Sequence, residues 1–224
     1  MRIQINLKVR FDTPFNIGSG ALADSIVDKP LVKDAIGRPI IPGSHLKGKA
    51  RHECEKIIRA LYPNRWVCEA PYAEDMCKGP DFCPVCRIFG APWRPSPLVF
   101  ENLILAADNR ESPRDWSSLR SVRGTIVRPG TGMSRGRGVV EDELLFSTET
   151  YAPPPAVIYR GNIRGILEDR RDVALLLAGL RSIYSLGGSG SRGLGWWHLE
   201  MNIELQDKQV NEEELLQELD KWSS

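Results

Sequence analysis

Three carboxylates and a set of cations lie within residues 15–51, and their types and spacing suit chemistry on a polyanion. The loop acids are Asp24, Asp28 and Asp34. The cations singled out as candidates are Lys33, Lys47, Lys49 and Arg51. Acids in a loop beside the start of a basic helix are typical of a site that binds a polyanion and acts on it.

The segment 43–50 (GSHLKGKA) nearly matches the phosphate loop of nucleotide-hydrolysing enzymes. Ala50 stands where that motif has the hydroxyl that binds Mg²⁺, so we expect no nucleotide hydrolysis. Amides at the helix start, together with Ser44, Lys47 and Arg51, still predict an anion site. The alternative is an ordinary basic helix face exposed to solvent.

The three loop acids differ in their local context. Asp28 precedes Lys29-Pro30, which favours an extended, exposed backbone, whereas Asp34 precedes a glycine turn that such an acid stabilises. On residue chemistry alone, a structural role is favoured over a catalytic one for each acid.

Four cysteines lie in residues 63–97, a Cys- and Pro-rich insertion without apolar periodicity. They are Cys68, Cys77, Cys83 and Cys86. Four soft ligands in an insertion that has no hydrophobic core of its own favour a tetrahedral zinc site, and free thiols are the alternative. We expect a structural zinc ion, because four cysteines leave no open coordination position. Cys54 lies on the apolar face of the basic helix and is interpreted as a core thiol.

Two further loops are glycine-rich and basic. Residues 120–140 carry Arg120, Arg123, Arg128, Arg135 and Arg137, a pattern that suits contact with a nucleic-acid backbone, or a solvent-exposed loop. Residues 187–195 (GGSGSRGLG) match a dinucleotide-binding motif in letters, but the order helix, loop, strand excludes that fold. The loop amides and Arg192 suit RNA phosphates, and a tight connection is the alternative.

Composition limits the function classes. The 224 residues fit one elaborated domain, 1–224, and 30 basic against 29 acidic side chains give a net charge of +1. Nucleic-acid binding must therefore depend on local patches. A start at Met1 without a signal segment or an apolar run of membrane length predicts a cytoplasmic protein with no membrane partner.

Periodicity predicts the elements that position these side chains. Residues 2–10 alternate as a half-buried strand, and Pro42-Gly43-Ser44 open a helix that runs to about Leu61, with Ser44 as N-cap. Further strands are predicted at 98–107, 156–167 and 196–205, and further helices at 169–186, with Tyr184 on the apolar face, and 211–222. With the insertion and a hairpin at 120–146 set aside, the order is βαββαβ, a ferredoxin-like α+β fold.

Residues 28–34 (DKPLVKD) and 37–51 (GRPIIPGSHLKGKAR) resemble the RAMP superfamily, the RNA-binding subunits of CRISPR effector complexes. The nearest resemblance is to the repeated backbone subunit of type III complexes. Residues 83–90 resemble the zinc-binding insertion of some members, 123–146 the thumb hairpin, and 187–195 the glycine-rich loop before the last strand.

The resemblance implies a modified RNA-recognition fold whose subunits stack along a guide CRISPR RNA with other RAMP subunits. The thumb hairpin, 120–146, would wedge between bases, and a loop aspartate with Mg²⁺ or Mn²⁺ would cleave the target single-stranded RNA. That position falls on Asp28. The expected RNA-binding residues are Ser44, His45, Lys47, Lys49, Arg51, Arg123, Arg128 and Arg192. His45 stands where the family often has a second serine, and the arginine-rich hairpin tip is an extra feature.

Three other interpretations remain open on the sequence. In the first, the chain is a non-catalytic scaffold of the same fold, in which Asp28 is only a loop acid. In the second, it is a guide-processing ribonuclease of the superfamily that uses His45 or His52 without metal. In the third, it is a zinc-stabilised protein-interaction module that binds no RNA.

Overall fold

The fold was obtained as a computed structural model, which describes residues 1–18, 20, 27–63, 67–107, 125–134, 136–154 and 157–222. Its strands are β1 Arg2–Phe11, β2 Leu98–Phe100, β3 Ile104–Ala107, β4 Thr125–Met133, β5 Val140–Tyr151, β6 Val157–Ile166, β7 Trp197–Leu205 and β8 Lys208–Gln209. Its α-helices are α1 Gly43–Leu61, α2 Pro84–Phe89, α3 Arg170–Ser182 and α4 Glu212–Leu216. Short 3₁₀ turns lie at Ala73–Asp75, Gly190–Arg192 and Gln217–Trp222.

β1 is the centre of the main sheet, and its alternation confirms the predicted half-buried strand. Ile3, Ile5, Leu7 and Val9 are buried, while the side chains between them lie on the other face. β1 pairs antiparallel with β6 on one side and β7 on the other. The full order is β2-β6-β1-β7-β8, with β3 also on β6. This order and the mixture of helices and antiparallel strands are consistent with the predicted ferredoxin-like α+β fold.

The predicted strand at 98–107 is divided into β2 and β3, both of which pair with β6. Between them Glu101 is still bonded to Asn162 of β6, and the next two residues contact the start of α1. The Asn102 side chain accepts a hydrogen bond from the Gly43 amide at 2.9 Å. Leu103 exchanges backbone hydrogen bonds with Ile41 at 2.9 and 3.1 Å. The break therefore joins the sheet to the helix.

The two long helices pack against each other through a glycine. A side-chain carbon at Gly179 of α3 would clash with the Cys54 sulfur of α1. Cys54 is fully buried and its thiol donates to the Leu175 carbonyl at 3.3 Å, as expected of a core thiol. Burial raises its pKa above the usual value.

The start of α1 and the end of α3 differ from prediction. Ser44 is not the N-cap, because α1 already begins at Gly43 with Pro42 as its cap residue. A side chain at position 43 would clash with the Phe100 carbonyl, so the glycine lets the helix start against β2. α3 ends at Ser182 rather than 186, and Tyr184 beyond it is exposed rather than buried.

β4 and β5 form a two-stranded antiparallel ribbon, named here the ribbon, where a hairpin is predicted. Thr125 lies opposite Tyr151, and residues 120–124 and Arg135 lie outside the described part of the chain. Many of its apolar side chains are exposed: Ile126, Val127, Met133, Val139, Val140, Leu144 and Leu145. The insertion, by contrast, is packed into the main core through Val85, Ile88 and Phe89.

Among the described residues, no helix combines the length and apolar character needed to cross a bilayer.

Candidate functional site

The Asp28 side chain is exposed and is held by Ser147 of β5. The Ser147 amide donates to Asp28 Oδ2 at 2.6 Å, and the Ser147 hydroxyl donates to the same oxygen at 2.9 Å. The Asp28 amide in turn donates to Ser147 Oγ at 3.0 Å. The hydrogen bonds from the Ser147 amide and hydroxyl lower the pKa of Asp28, which keeps the group ionised. Asp28 Oδ1 takes no part in these three bonds.

The chain on either side of Asp28 is fixed along β5. The Lys29 amide donates to the Ser147 carbonyl at 3.1 Å, and the Glu149 amide donates to the Lys29 carbonyl at 3.1 Å. The buried Glu149 carboxylate accepts from the Leu31 amide at 3.0 Å and from Lys33 Nζ at 2.6 Å. Residues 28–33, named here the acid segment, therefore lie against the base of the ribbon, and Lys33 is neutralised there.

Asn16 joins this region to the glycine loop. Its buried side chain donates to the Glu149 carbonyl at 2.6 Å and to the Lys29 carbonyl at 3.3 Å. Its backbone carbonyl accepts from the Gly188 amide at 2.8 Å. The sequence interpretation missed Asn16, Ser147 and Glu149. A polar residue between the apolar Phe15 and Ile17 is the one local signal that points to Asn16.

The start of α1 is electropositive. Its cap residue Pro42 offers no side-chain hydrogen bond, the Gly43 amide is bonded to the Asn102 side chain, and the first turn, residues 43–46, contains no acid. Ser44 is exposed there, and Lys47 and Lys49 follow half-buried. Burial, with Arg51 nearby, lowers the pKa of Lys47. The positive end of the helix dipole and two lysines are suited to an external anion.

The His45 ring is bonded to the glycine loop, and its predicted contact with RNA stays a prediction. Its Nε2 accepts a hydrogen bond from the Gly187 amide at 3.1 Å, so α1 holds the glycine loop. Burial, with a smaller effect of Lys49, lowers the pKa of His45 and keeps the ring neutral at pH 7. A ring that is neutral and already an acceptor is poorly placed to act as the acid and base of a metal-free ribonuclease.

The Arg51 guanidinium is bonded to the insertion and to its own helix, and its predicted contact with RNA stays a prediction. Its guanidinium donates to Glu55 Oε1 at 3.0 Å and to the Gly90 carbonyl at 2.8 Å. The same group donates to the Cys86 sulfur at 3.4 Å. Arg51 therefore joins α1 to the cysteine cluster.

The four insertion cysteines come together as the sequence predicts. The sulfurs of Cys68, Cys77, Cys83 and Cys86 all lie within 4.8 Å of one another and are buried. Measured separations include 3.7 Å between Cys68 and Cys83 and 3.2 Å between Cys68 and Cys86. Zinc–sulfur bonds of about 2.3 Å in a tetrahedron require sulfurs about 3.8 Å apart, so the cluster fits a metal ion such as zinc.

Hydrogen bonds around the cluster suit thiolates. The Cys83 amide donates to the Cys77 sulfur and the Cys86 amide donates to the Cys83 sulfur, each at 3.4 Å. The hydrogen bond from the Cys86 side chain is the largest of the effects that lower the pKa of Cys83. The Arg51 guanidinium adds a positive charge beside the sulfurs.

The remaining predicted site residues lie on other parts of the chain: Asp34 in a turn, Arg128 on β4 and Arg192 in the glycine loop. Asp34 accepts from the Ile36 and Arg38 amides at 3.1 and 2.9 Å, as expected of a turn acid. Arg128 is exposed on β4 and Arg192 is exposed in the glycine loop. Asp24, Arg120 and Arg123 lie outside the described residues.

Comparison with known proteins gives a consistent picture. Residues 8–200 match the family model described as the RAMP superfamily. A Methanocaldococcus jannaschii protein named CRISPR system Cms endoribonuclease Csm3 is 28% identical over 181 residues, which cover 75% of this chain and 65% of that protein. The chain thus spans slightly less than two thirds of that relative. A Streptococcus thermophilus protein of the same name is 29% identical over 206 residues, covering 87% of this chain and 85% of that protein.

Proposed function

The chain belongs to the RAMP superfamily, and on that premise we propose that it is a guide-RNA-binding backbone subunit of a type III CRISPR effector complex that cleaves target RNA. Both relatives described above are named as CRISPR endoribonucleases, which supports this choice. The observation that carries the proposal is the exposed Asp28 carboxylate, fixed by Ser147 at the base of the ribbon.

Guide RNA binds at the start of α1. Ser44 is exposed there, and Lys47 and Lys49 add positive charge where the helix dipole is also positive. A phosphate of the guide would neutralise this region, whose first turn, residues 43–46, contains no acid. Binding at this point orients the guide and leaves sequence recognition to base pairing.

The ribbon is the thumb hairpin that displaces bases of the paired target. Its exposed apolar side chains suit insertion beside nucleobases, and Arg128 suits a phosphate of the same strand. Arg123 is proposed for a similar contact. Because the acid segment is bonded to β5, the displaced nucleotide and Asp28 would lie at a fixed separation.

Asp28 acts as the catalytic carboxylate. A displaced nucleotide is free of helical geometry, so its 2′-OH can align with the leaving 5′-oxygen. A carboxylate that already accepts two hydrogen bonds is a weak base, and its Oδ1 outside those bonds suits a hard divalent cation. Mg²⁺ or Mn²⁺ bound there would supply positive charge against the charge that develops on the scissile phosphate.

The cysteine cluster binds a structural zinc ion. Cys68, Cys77, Cys83 and Cys86 would hold it with no position left for a substrate. In this proposal residues 1–224 form a single RAMP domain, of which 63–97 is the zinc-binding insertion and 120–146 the thumb hairpin. Such a subunit works beside other RAMP subunits in a ribonucleoprotein.

The test is cleavage of complementary RNA by the guide-loaded complex, with wild type compared with Asp28→Ala and Asp28→Asn. We expect wild type to cut at regular intervals with Mg²⁺ and not with EDTA, and both variants to bind target without cutting. Asp12→Ala, which removes another exposed acid, is the control and should cut normally. Equal cutting by the Asp28 variants would refute the catalytic role and leave a scaffold; loss of target binding would assign Asp28 to assembly instead.

A further inference from the structure

Two large aromatic side chains are exposed at the glycine loop. The exposed fractions are 66% for Tyr184 and 51% for Trp196. Both rings lie against Gly190. Trp196 Nε1 lies 3.5 Å from the Gly190 carbonyl, and a side-chain carbon at Gly190 would lie 3.8 Å from Tyr184 Cε2. Tyr184 and Trp196, named here the aromatic pair, therefore belong to one surface.

The exposure of the pair follows from the backbone. Tyr184 would continue the apolar face of α3, but the helix ends at Ser182 and the chain turns outward. Trp196 precedes Trp197, which is buried and donates from Nε1 to the Ile183 carbonyl at 2.6 Å. Successive side chains of an extended chain point in opposite directions, so Trp196 faces solvent. The backbone bridge between Ser185 and Trp196 fixes the two segments side by side.

The glycine loop that carries the pair is bonded to the cationic start of α1. The Gly187 amide donates to His45 at 3.1 Å, which brings the loop against the first turn of the helix, ahead of Lys47 and Lys49. Arg192 is exposed in the same loop. Aromatic faces on a surface that also carries cations are the combination with which proteins bind single-stranded RNA, because the rings stack on bases while the cations hold phosphates.

Gly190 packs closely against Ser185. A side-chain carbon at this position would clash with the Ser185 hydroxyl, so any larger residue would shift the loop that carries the aromatic pair.

We propose that Tyr184 and Trp196 form a base-stacking site for an unpaired nucleobase of the guide RNA, next to its backbone contact at the start of α1. The inference rests on the proposed guide-binding function and adds to it a contact with a base. A protein partner would also cover aromatic rings, but the adjoining Lys47, Lys49 and Arg192 match the charge of RNA.

The test is fluorescence anisotropy of a labelled single-stranded RNA with the full-length protein. We expect Tyr184→Ala and Trp196→Ala each to weaken binding about five-fold or more, which is the usual effect of losing one base–aromatic stack. Trp196→Phe keeps a stacking ring and should retain most of the affinity. Tyr72→Ala and Trp93→Ala are matched controls, since these rings are 65% and 54% exposed on the insertion, and they should bind as wild type does.

An abasic RNA of the same length separates stacking from phosphate contact. Wild type should bind it as weakly as the aromatic variants bind ordinary RNA, and the variants should lose no further affinity. If wild type binds RNA and the aromatic variants bind equally well, the stacking site is refuted while guide binding stands. If wild type itself fails to bind RNA, both proposals fall. If the variants keep RNA affinity but no longer self-associate in light scattering, the pair is a protein contact and the stacking inference is wrong.

Discussion

Asp28 and Ser147 are joined by three hydrogen bonds, so the exposed acid is tied to the strand that forms one side of the ribbon. The two residues lie 119 positions apart in the sequence, and their contact makes the acid segment and the ribbon a single mechanical unit. In the proposed mechanism, this connection would fix the separation between the displaced base and the cut phosphate.

Ser147→Ala should slow target cleavage about ten-fold or more while target affinity stays near wild type. The variant removes the hydroxyl that donates to Asp28 and leaves the amide, so the carboxylate is held but less well oriented, and small misplacements of a catalytic group carry large rate effects. Single-turnover cleavage rates and anisotropy measure the two quantities separately. Ser147→Thr restores the hydroxyl and should recover most of the rate.

Thr131→Ala is the control for Ser147→Ala, since it removes an exposed hydroxyl from the opposite strand of the ribbon. It should leave the rate unchanged. Equal rates for wild type and Ser147→Ala would show that the hydroxyl does not position Asp28.

Lys47→Ala and Lys49→Ala should each weaken guide-RNA binding and make it less dependent on salt. A lysine that contacts a phosphate releases about one counterion, so each variant should lower the slope of log affinity against log salt by about one. Titrations at four salt concentrations give the slope. Lys56→Ala is the control on the same helix, because Lys56 is paired with Glu53 at 2.7 Å. An unchanged slope in both variants would place the guide elsewhere.

The sequence predicts the central elements well because their signals are local. Alternation in 2–10 and helical spacing in 43–61 reflect one buried face each, and both elements are present. The ends are less well predicted because they depend on contacts with other elements. Gly43 starts α1 against Phe100, and α3 stops at Ser182, where the chain turns toward the glycine loop.

The candidate site shows the same division. Four cysteines in one insertion predict a cluster, and their sulfurs do meet. The sequence does not reveal the partners of His45 and Arg51, because these are distant along the chain: Gly187 lies 142 residues from His45, and Cys86 lies 35 residues from Arg51. A lysine or arginine at a suitable helical position indicates charge, but its partner is decided by tertiary packing.

Arg51→Met should reduce zinc retention. The guanidinium donates to Cys86 and to the Gly90 carbonyl, so its loss removes a compensating charge and a constraint on the chain that follows the cysteine pair. Loss of such an outer partner typically lowers metal affinity 10–100-fold. Zinc content after dialysis against a graded chelator series measures the effect, with Arg59→Met as the control from the exposed end of the same helix.

Full zinc retention by Arg51→Met in that chelator series would show that the contact between the guanidinium and the sulfurs is incidental.

Complete removal of zinc from wild type should lower the thermal midpoint of unfolding, because ligand binding to the folded state stabilises it.

Asp169→Ala should lower the free energy of unfolding by about 1 kcal/mol, the usual effect of losing a side-chain N-cap. Asp169 caps α3 by accepting from the Arg171 amide at 2.9 Å, and the Arg171 side chain holds its pKa below the ordinary value of 3.8. A lowered pKa means that this stabilisation is present above pH 3.8 and is lost as pH falls through the folded-state value. Urea unfolding at pH 7 and at progressively lower pH checks both parts: the difference between wild type and variant should be largest at neutral pH and should shrink in acid. A difference that grows in acid would contradict the assignment of an ionised cap.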